Sequence, residues 1–395
     1  MIDVQACRAD TPGTEHVLHF NNAGAGLMPR PVLEAVKEHL DLEAAIGGYE
    51  AADRARDRIE RAYDAIARYL NCHRDEVAIV ENATVAWNQA FFAVAATLKP
   101  RQRILTAEAE YASNYLTYLK LRAEEGLEVD VVPSDADGQL DVAALEAMID
   151  DRVGLIAVTH VPTNGGLVNP AEAIGAVARR HGIPYLLDAC QSAGQLPLDV
   201  ERIGCDFLSV TGRKYLRGPR GTGFLYARKS AQQRFRPTVI DLHAAEWTGA
   251  DRFEWRPDAR IYENWENYEA GKIGLGVAVD YMLELGIDAI AERTAMLAAT
   301  LRQRLAAVPG VSVHDLGKRK CGIVTFALDG HAPEEIKRLL AVRRINVTTT
   351  TIVSTRIDME RRGISDLVRA SVHYYNTEAE IDRFVRAVAG IGGAS

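Results

Sequence analysis

The chain has 395 residues, 48% hydrophobic and 25% charged, with a formal net charge of -8, a composition that suits a folded protein large enough for two domains and sets its surface against nucleic-acid phosphates. Five cysteines, Cys7, Cys72, Cys190, Cys205 and Cys321, are scattered and never form a CxxC pair; this argues against a disulfide framework or a structural zinc site, and for a reducing, cytoplasmic setting with no metal. The N-terminus lacks a basic stretch followed by an apolar core, and no run approaches the ~20 apolar residues of a membrane span.

In chain order, two helical stretches come first, PVLEAVKEHLDLEAAI and the charged AADRARDRIERAYDAIARYL. From about residue 77 to 228, short apolar runs alternate with amphipathic segments, the pattern of a parallel sheet covered by helices. The expected strands are VAIV, RILT, EVDVV, GLIAVT, PYLLD, DFLSVT and GFLYA. Between them lie the expected helices TVAWNQAFFAVAATL, SNYLTYLKLRAEE, DVAALEAMI and PAEAIGAVARRH. An aromatic-rich segment from about 236 to 268 reads as irregular. The last third reads as helix (IDAIAERTAMLAATLRQRLAAV), two strands (VSVHD, GIVTFAL), helix (APEEIKRLLAV), two strands (INVTTTT, LVRASVH) and helix (EAEIDRFVRAVAG). The fold class expected is α/β: a large domain over 18–260 with a seven-stranded, mostly parallel sheet, and a smaller α+β domain over 261–395. Residues 1–17 are expected to pack against the body.

Ligands of such sheets bind at the carboxyl ends of the strands. Asp188 closes PYLLD, and Lys214 follows DFLSVT after one strand-to-strand crossover, so both side chains belong at one sheet edge. Either alone has an ordinary explanation, a turn residue or a solvated cation. Together, beside the Thr-Gly-Arg of 211–213, they point to pyridoxal phosphate. That cofactor needs a lysine to form its Schiff base, a carboxylate for its ring nitrogen and donors for its phosphate.

The text LLDACQSAGQLPLDVERIGCDFLSVTGRKYLRGPRGTGFLY resembles the signature region of class V aminotransferases and cysteine desulfurases, the fold-type-I pyridoxal phosphate enzymes. LHFNNAGAGLMP, VENATVAWNQA, AEAEYASNY, HVPTNGGLVNP and VRASVHYYNTEAEID extend the resemblance, in order, over nearly the whole chain. It implies a homodimer that acts on a small amino-acid substrate. Lys214 would hold the cofactor and later remove the substrate's α-proton, a role that burial and the neighbouring Arg213 would assist. Asp188 would meet the ring nitrogen and Gln191 the ring oxygen, with either Thr163 or Asn164 beside it. Tyr111 stands where desulfurases have a ring-stacking histidine. Ala83 and Thr84 open a helix whose N-terminus suits the phosphate, joined by Thr211 and by Arg213, which replaces the usual histidine. Arg369 would grip the substrate carboxylate, with Asn22 of the N-terminal segment also at the substrate. Trp87, Trp255, Trp265 and Tyr262 are candidates for a pocket wall, and Arg217 and Arg220 are left without a role.

Cysteine desulfurases carry a persulfide-forming cysteine on a mobile loop before the C-terminal strand. The corresponding INVTTTTIVSTRIDMERRG has none. The wording GRKYLRGPRGTGFL looks most like that of lyases that cleave a cysteine-conjugate C–S bond in ergothioneine biosynthesis, and also resembles isopenicillin N epimerase-like proteins. The expected reaction is therefore C–S β-elimination, yielding aminoacrylate and then pyruvate with ammonia. Transamination and racemisation or epimerisation are the alternatives within the family, and a non-catalytic cofactor-binding protein is a third.

Overall fold

The computed structural model describes residues 2–393. All seven expected strands form, buried or nearly so except at the edge strand Glu128–Val132, where only Val132 is fully covered, in the sheet order Val77–Val80, Gly223–Ala227, Phe207–Thr211, Tyr185–Asp188, Val153–Thr159, Arg103–Ala107, Glu128–Val132. Gly223–Ala227 runs antiparallel to both neighbours and the remaining pairs are parallel. Runs such as LIAV and YLLD are apolar on both faces because both faces are covered. Ile156, Leu187 and Leu208 pack in one core cluster, and Ile104, Leu155 and Leu186 in another.

Among the described residues, a second sheet of four antiparallel strands has the order Val311–Val313, Ile323–Leu328, Asp366–Ser371, Thr348–Thr351. Helices Ile287–Ala306, Pro333–Val342 and Glu378–Gly392 bury Leu301, Ile336 and Phe384 with its strands. The N-terminal segment joins this part of the molecule. Leu18–His19 pairs in parallel with Ile345–Asn346, and Arg8 donates to Tyr375 O and Glu380 Oε1.

Four stretches differ from the sequence reading. The second N-terminal helix is two, Gly48–Arg54 and Arg56–Leu70, separated at Ala55, whose ψ of 9° leaves the helical range. INVTTTT breaks at Val347, because its first two residues pair with the N-terminal segment and the rest with Asp366–Arg369. The third difference is a helix, Glu269–Leu285, where none was expected; it lies against Arg30–Ile46 and Arg56–Leu70. Within the segment read as irregular, Ala245–Gly249 and Arg252–Trp255 form a hairpin.

Candidate active site

The carboxyl edge of the large sheet opens into a cavity of about 520 Å³ lined by residues from several strand ends. Parallel pairing places Asp188 level with Thr159 on one side and Ser209 on the other. The Asp188 carboxylate is 5% exposed. Its Oδ1 accepts from Cys190 N at 2.9 Å and its Oδ2 from Asn114 Nδ2 at 3.0 Å. Burial pushes its pKa up, while those two donors and the Lys214 cation pull it down. A carboxylate held by two donors and facing a cavity is arranged to meet a cationic nitrogen.

Lys214 follows the strand Phe207–Thr211 and reaches back towards the same edge. Its ammonium donates to Cys190 Sγ at 3.2 Å and has no ion pair among the described residues. An amine 9% exposed, with a thiol instead of a carboxylate as its neighbour, is free to react. The N-terminal segment presses on the lysine's loop: a Cβ on Gly26 would lie 2.6 Å from Lys214 O, so only glycine allows this approach.

The N-terminus of the helix Ala83–Ala95 also lines the cavity. Asn82 Oδ1 caps it, accepting from Thr84 N at 2.9 Å and Val85 N at 3.1 Å. A Cβ on Gly223 would lie 2.9 Å from Asn82 Cα, so that glycine sets this helix end against the sheet. Thr211, Arg220 and Gly221 complete the wall there. A helix N-terminus, a hydroxyl and a guanidinium together suit a phosphate. Arg213 also lines the cavity, and its guanidinium donates to Gly24 O of the N-terminal segment.

On the side facing the small sheet, Arg369 NH1 donates to Thr163 Oγ1 at 2.5 Å and to Thr163 O at 3.1 Å. Gln191 Nε2 donates to the same hydroxyl at 3.3 Å and to Ala23 O at 3.1 Å. A hydroxyl that accepts twice keeps its own proton for a third partner, so Thr163 can donate into the cavity. Gln191 Oε1 and Arg369 Nε are buried without any hydrogen-bond partner. Burial, with Arg213 adding to it, draws the Arg369 pKa down to about 10, which still leaves a cation at neutral pH. That cation has no carboxylate partner among the described residues.

Nine of the expected site residues, Ala83, Thr84, Tyr111, Thr163, Asp188, Gln191, Thr211, Arg213 and Lys214, therefore share one cavity wall. Arg369 adjoins it through Thr163. Two others are elsewhere. Asn164 turns away from the cavity: its Nδ2 donates to Thr351 O and Thr355 Oγ1, and its Oδ1 accepts from the Thr350 hydroxyl, so it ties its loop to the small sheet. Asn22 is fully buried, donating to Ser371 O at 2.7 Å and accepting from the Tyr375 hydroxyl. It braces the N-terminal segment and has no free amide for a substrate. The four aromatic side chains expected in the pocket wall lie outside it. Trp87 stacks on Phe91 in the core, the Tyr262 hydroxyl donates to Phe235 O, and neither Trp255 nor Trp265 lines the cavity.

Arg217 is buried, donating to Leu27 O at 2.7 Å, Thr11 Oγ1 at 2.5 Å and the Tyr374 hydroxyl, with Tyr375 under its guanidinium. It binds the two chain termini to the lysine's loop. Sequence reasoning missed Cys190, Asn114 and the buried Glu110 behind it. The four-residue spacing of Glu110 and Asn114 across a helix start was the available signal.

A lysine without an ion pair, a held carboxylate, an anion-binding helix end and two orphaned polar atoms fit pyridoxal phosphate. No group of side chains among the described residues could hold a metal ion, and no helix is long and apolar enough to cross a membrane.

The family model for class-V aminotransferases matches residues 18–384. A probable cysteine desulfurase of Pyrococcus abyssi is 28% identical over 383 residues, which cover 96% of this chain and 95% of the relative. The apo cysteine desulfurase of Thermococcus onnurineus superposes with a TM-score of 0.93 at 26% identity, covering 100% of this chain and 99% of that one. A cystine C-S lyase in complex with its product cysteine persulfide superposes with a TM-score of 0.86 at 24% identity, covering 96% and 99%. At that identity the last likeness concerns the fold alone.

Proposed function

Because this chain belongs to the class-V aminotransferase family and is a pyridoxal phosphate enzyme, we propose that it cleaves the carbon–sulfur bond of an L-cysteine conjugate or cysteine sulfoxide by β-elimination. The observation that carries this is the placement of thiols. The segment 345–363, on the small-domain side of the site, has no cysteine. Among the described residues Cys190 is the one cysteine that lines the cavity, and it belongs to the strand-end turn after Asp188, to whose carboxylate its N–H donates, not to that segment. A persulfide-forming desulfurase needs a thiol that can meet the departing sulfur. An eliminating lyase needs none, because the sulfur leaves as a thiolate or sulfenate.

The chain's own residues divide the work. Arg369 binds the α-carboxylate with its guanidinium, and Thr163, whose hydroxyl it fixes, donates a hydrogen bond beside it. Lys214 Nζ takes the proton from the α-carbon. With pyridoxal phosphate bound, Asp188 would meet its ring nitrogen and favour the cationic form, while Thr211, Arg213, Arg220 and the Ala83 helix end would hold its phosphate. The bound cofactor supplies an electron sink for the pair left at the α-carbon. When the β-carbon–sulfur bond breaks, that pair forms the new double bond and the sulfur leaves with the bonding electrons. The resulting aminoacrylate adds water to give pyruvate and ammonia.

The names of the relatives favour a second reading, cysteine desulfuration. The two differ in their products. With L-cysteine, cysteine conjugates and sulfoxides offered in deuterated water, the lyase yields pyruvate and ammonia in equal amounts with a released sulfur species. Alanine with protein-bound persulfide would establish the desulfurase instead. A keto acid with pyridoxamine phosphate would establish a transaminase, and inverted α-deuterated substrate a racemase.

The proposal extends to a cytoplasmic homodimer. Leu242, Trp247, Phe253 and Trp265, all within 236–268, stand exposed on the single chain, Trp247 by 79%. Large apolar side chains so concentrated call for a covering surface. Light scattering should return a particle twice the 43.3 kDa of one chain. A mass of 43.3 kDa for the cofactor-loaded protein would rule the dimer out.

A further inference from the structure

Behind Asp188, away from the cavity, lies a second buried carboxylate that the chemistry above does not use. Glu110 is 3% exposed and has no ion pair with any described residue. Five donors surround it instead. Its Oε1 accepts from Tyr111 N at 2.8 Å, from Asn114 Nδ2 at 2.9 Å and from the Thr159 hydroxyl. Its Oε2 accepts from Thr159 N at 3.0 Å and from Thr106 Oγ1 at 3.0 Å. Burying a carboxyl with no cation is costly, and burial pushes its pKa up to about 7 while the donors resist.

The geometry explains why a glutamine could not do the same work. Each Glu110 oxygen accepts from a backbone N–H, Tyr111 on one and Thr159 on the other. A backbone N–H cannot turn into an acceptor, so an amide NH2 at either position would face a donor. Asn114 is then fixed in turn. Its Nδ2 has two hydrogens and two carboxylate neighbours, Glu110 Oε1 at 2.9 Å and Asp188 Oδ2 at 3.0 Å. With its NH2 held at both ends, the amide cannot flip and present its oxygen to Asp188. Glu110 and Asn114 are four residues apart across the start of the helix Ala112–Glu124, and Thr159 is the strand-end residue paired with Asp188. Two neighbouring sheet edges thus meet on one carboxylate.

We propose that Glu110 is a positioning residue for Asp188: by orienting Asn114 it supplies the N–H that holds Asp188 Oδ2, and so fixes the carboxylate that meets the ring nitrogen of pyridoxal phosphate. This rests on the assignment of Asp188 to the ring nitrogen given above. Glu110 touches neither cofactor nor substrate, and its effect reaches them only through Asn114 and Asp188.

The test compares two ligands on the apoprotein, pyridoxal phosphate and its carbocyclic analogue with C–H in place of the ring nitrogen. Wild-type protein should bind the first more tightly. Glu110→Gln should weaken pyridoxal phosphate by about tenfold, the loss of one hydrogen bond to a charged group, and leave the analogue's affinity unchanged. Asn114→Ala should do the same, and it answers the question if Glu110→Gln does not fold. Equal weakening of both ligands would mean that Glu110 merely supports the fold, and no weakening of either would mean that Asp188 needs no such support. Either result overturns the proposal. Wild-type protein that binds the two ligands equally would instead remove the assignment of Asp188 itself, and the proposal with it.

Discussion

Replacing Lys214 with alanine should leave a folded protein that binds pyridoxal phosphate without a covalent bond and turns over about 10⁴-fold more slowly, since a positioned general base alone contributes 10²–10⁴. The prediction follows from how little else in the cavity could substitute. Among the lining side chains, Arg213 and Arg220 carry guanidiniums rather than amines, Asp188 is held by Asn114 and Cys190, and the Cys190 thiol is pushed up in pKa by burial. Only Lys214 combines an amine with freedom from any ion pair. Reduction with borohydride followed by peptide mass spectrometry should find the cofactor on Lys214 in the wild type and nowhere in Lys214→Ala. A variant that still carried a covalent cofactor would displace the whole site assignment.

How far the sequence reveals this site depends on whether a residue's role is local. The inner strands were legible because burial on both faces demands uninterrupted apolar runs, and the ends of those strands then located Asp188 and Lys214. The helix Glu269–Leu285 was not, because Gly271, Gly274 and Gly276 weaken its helical signal. Their reason is tertiary: a Cβ on Gly276 would lie 2.9 Å from Ala62 Cα, and one on Gly274 2.5 Å from Val36 Cγ2. Asn22 and Asn164 sit in segments that resemble the family's, yet their amides are committed to the small sheet and its flanks. Which of two adjacent residues faces a cavity is decided by chain direction at that point, and HVPTNGG leaves it open. The cations of GRKYLRGPR show the same limit. Lys214 was legible from its spacing to Asp188, whereas Arg217 acquires its place only from Thr11, Leu27 and Tyr374, residues remote in the chain.

Arg369→Ala should reduce kcat/KM by about 10²–10³-fold, most of it through KM, as expected when one partner of a buried charged hydrogen bond is lost. The guanidinium is 8% exposed, with Nε unpartnered and no carboxylate in reach among the described residues. A buried cation without a counterion is unfavourable. The substrate's α-carboxylate is the group that would relieve it. Arg369→Lys should recover little of the loss, because a lysine cannot make the forked contact and at the same time hold the Thr163 hydroxyl. Thr163→Val provides the internal comparison. It removes that hydroxyl, which accepts from both Arg369 and Gln191, but leaves the charge, so its effect should be smaller, about tenfold. Steady-state kinetics on the three variants with one cysteine conjugate decides the matter. If Arg369→Ala lowered kcat with KM unchanged, the arginine would be acting in the chemical step and the carboxylate would have to be held elsewhere.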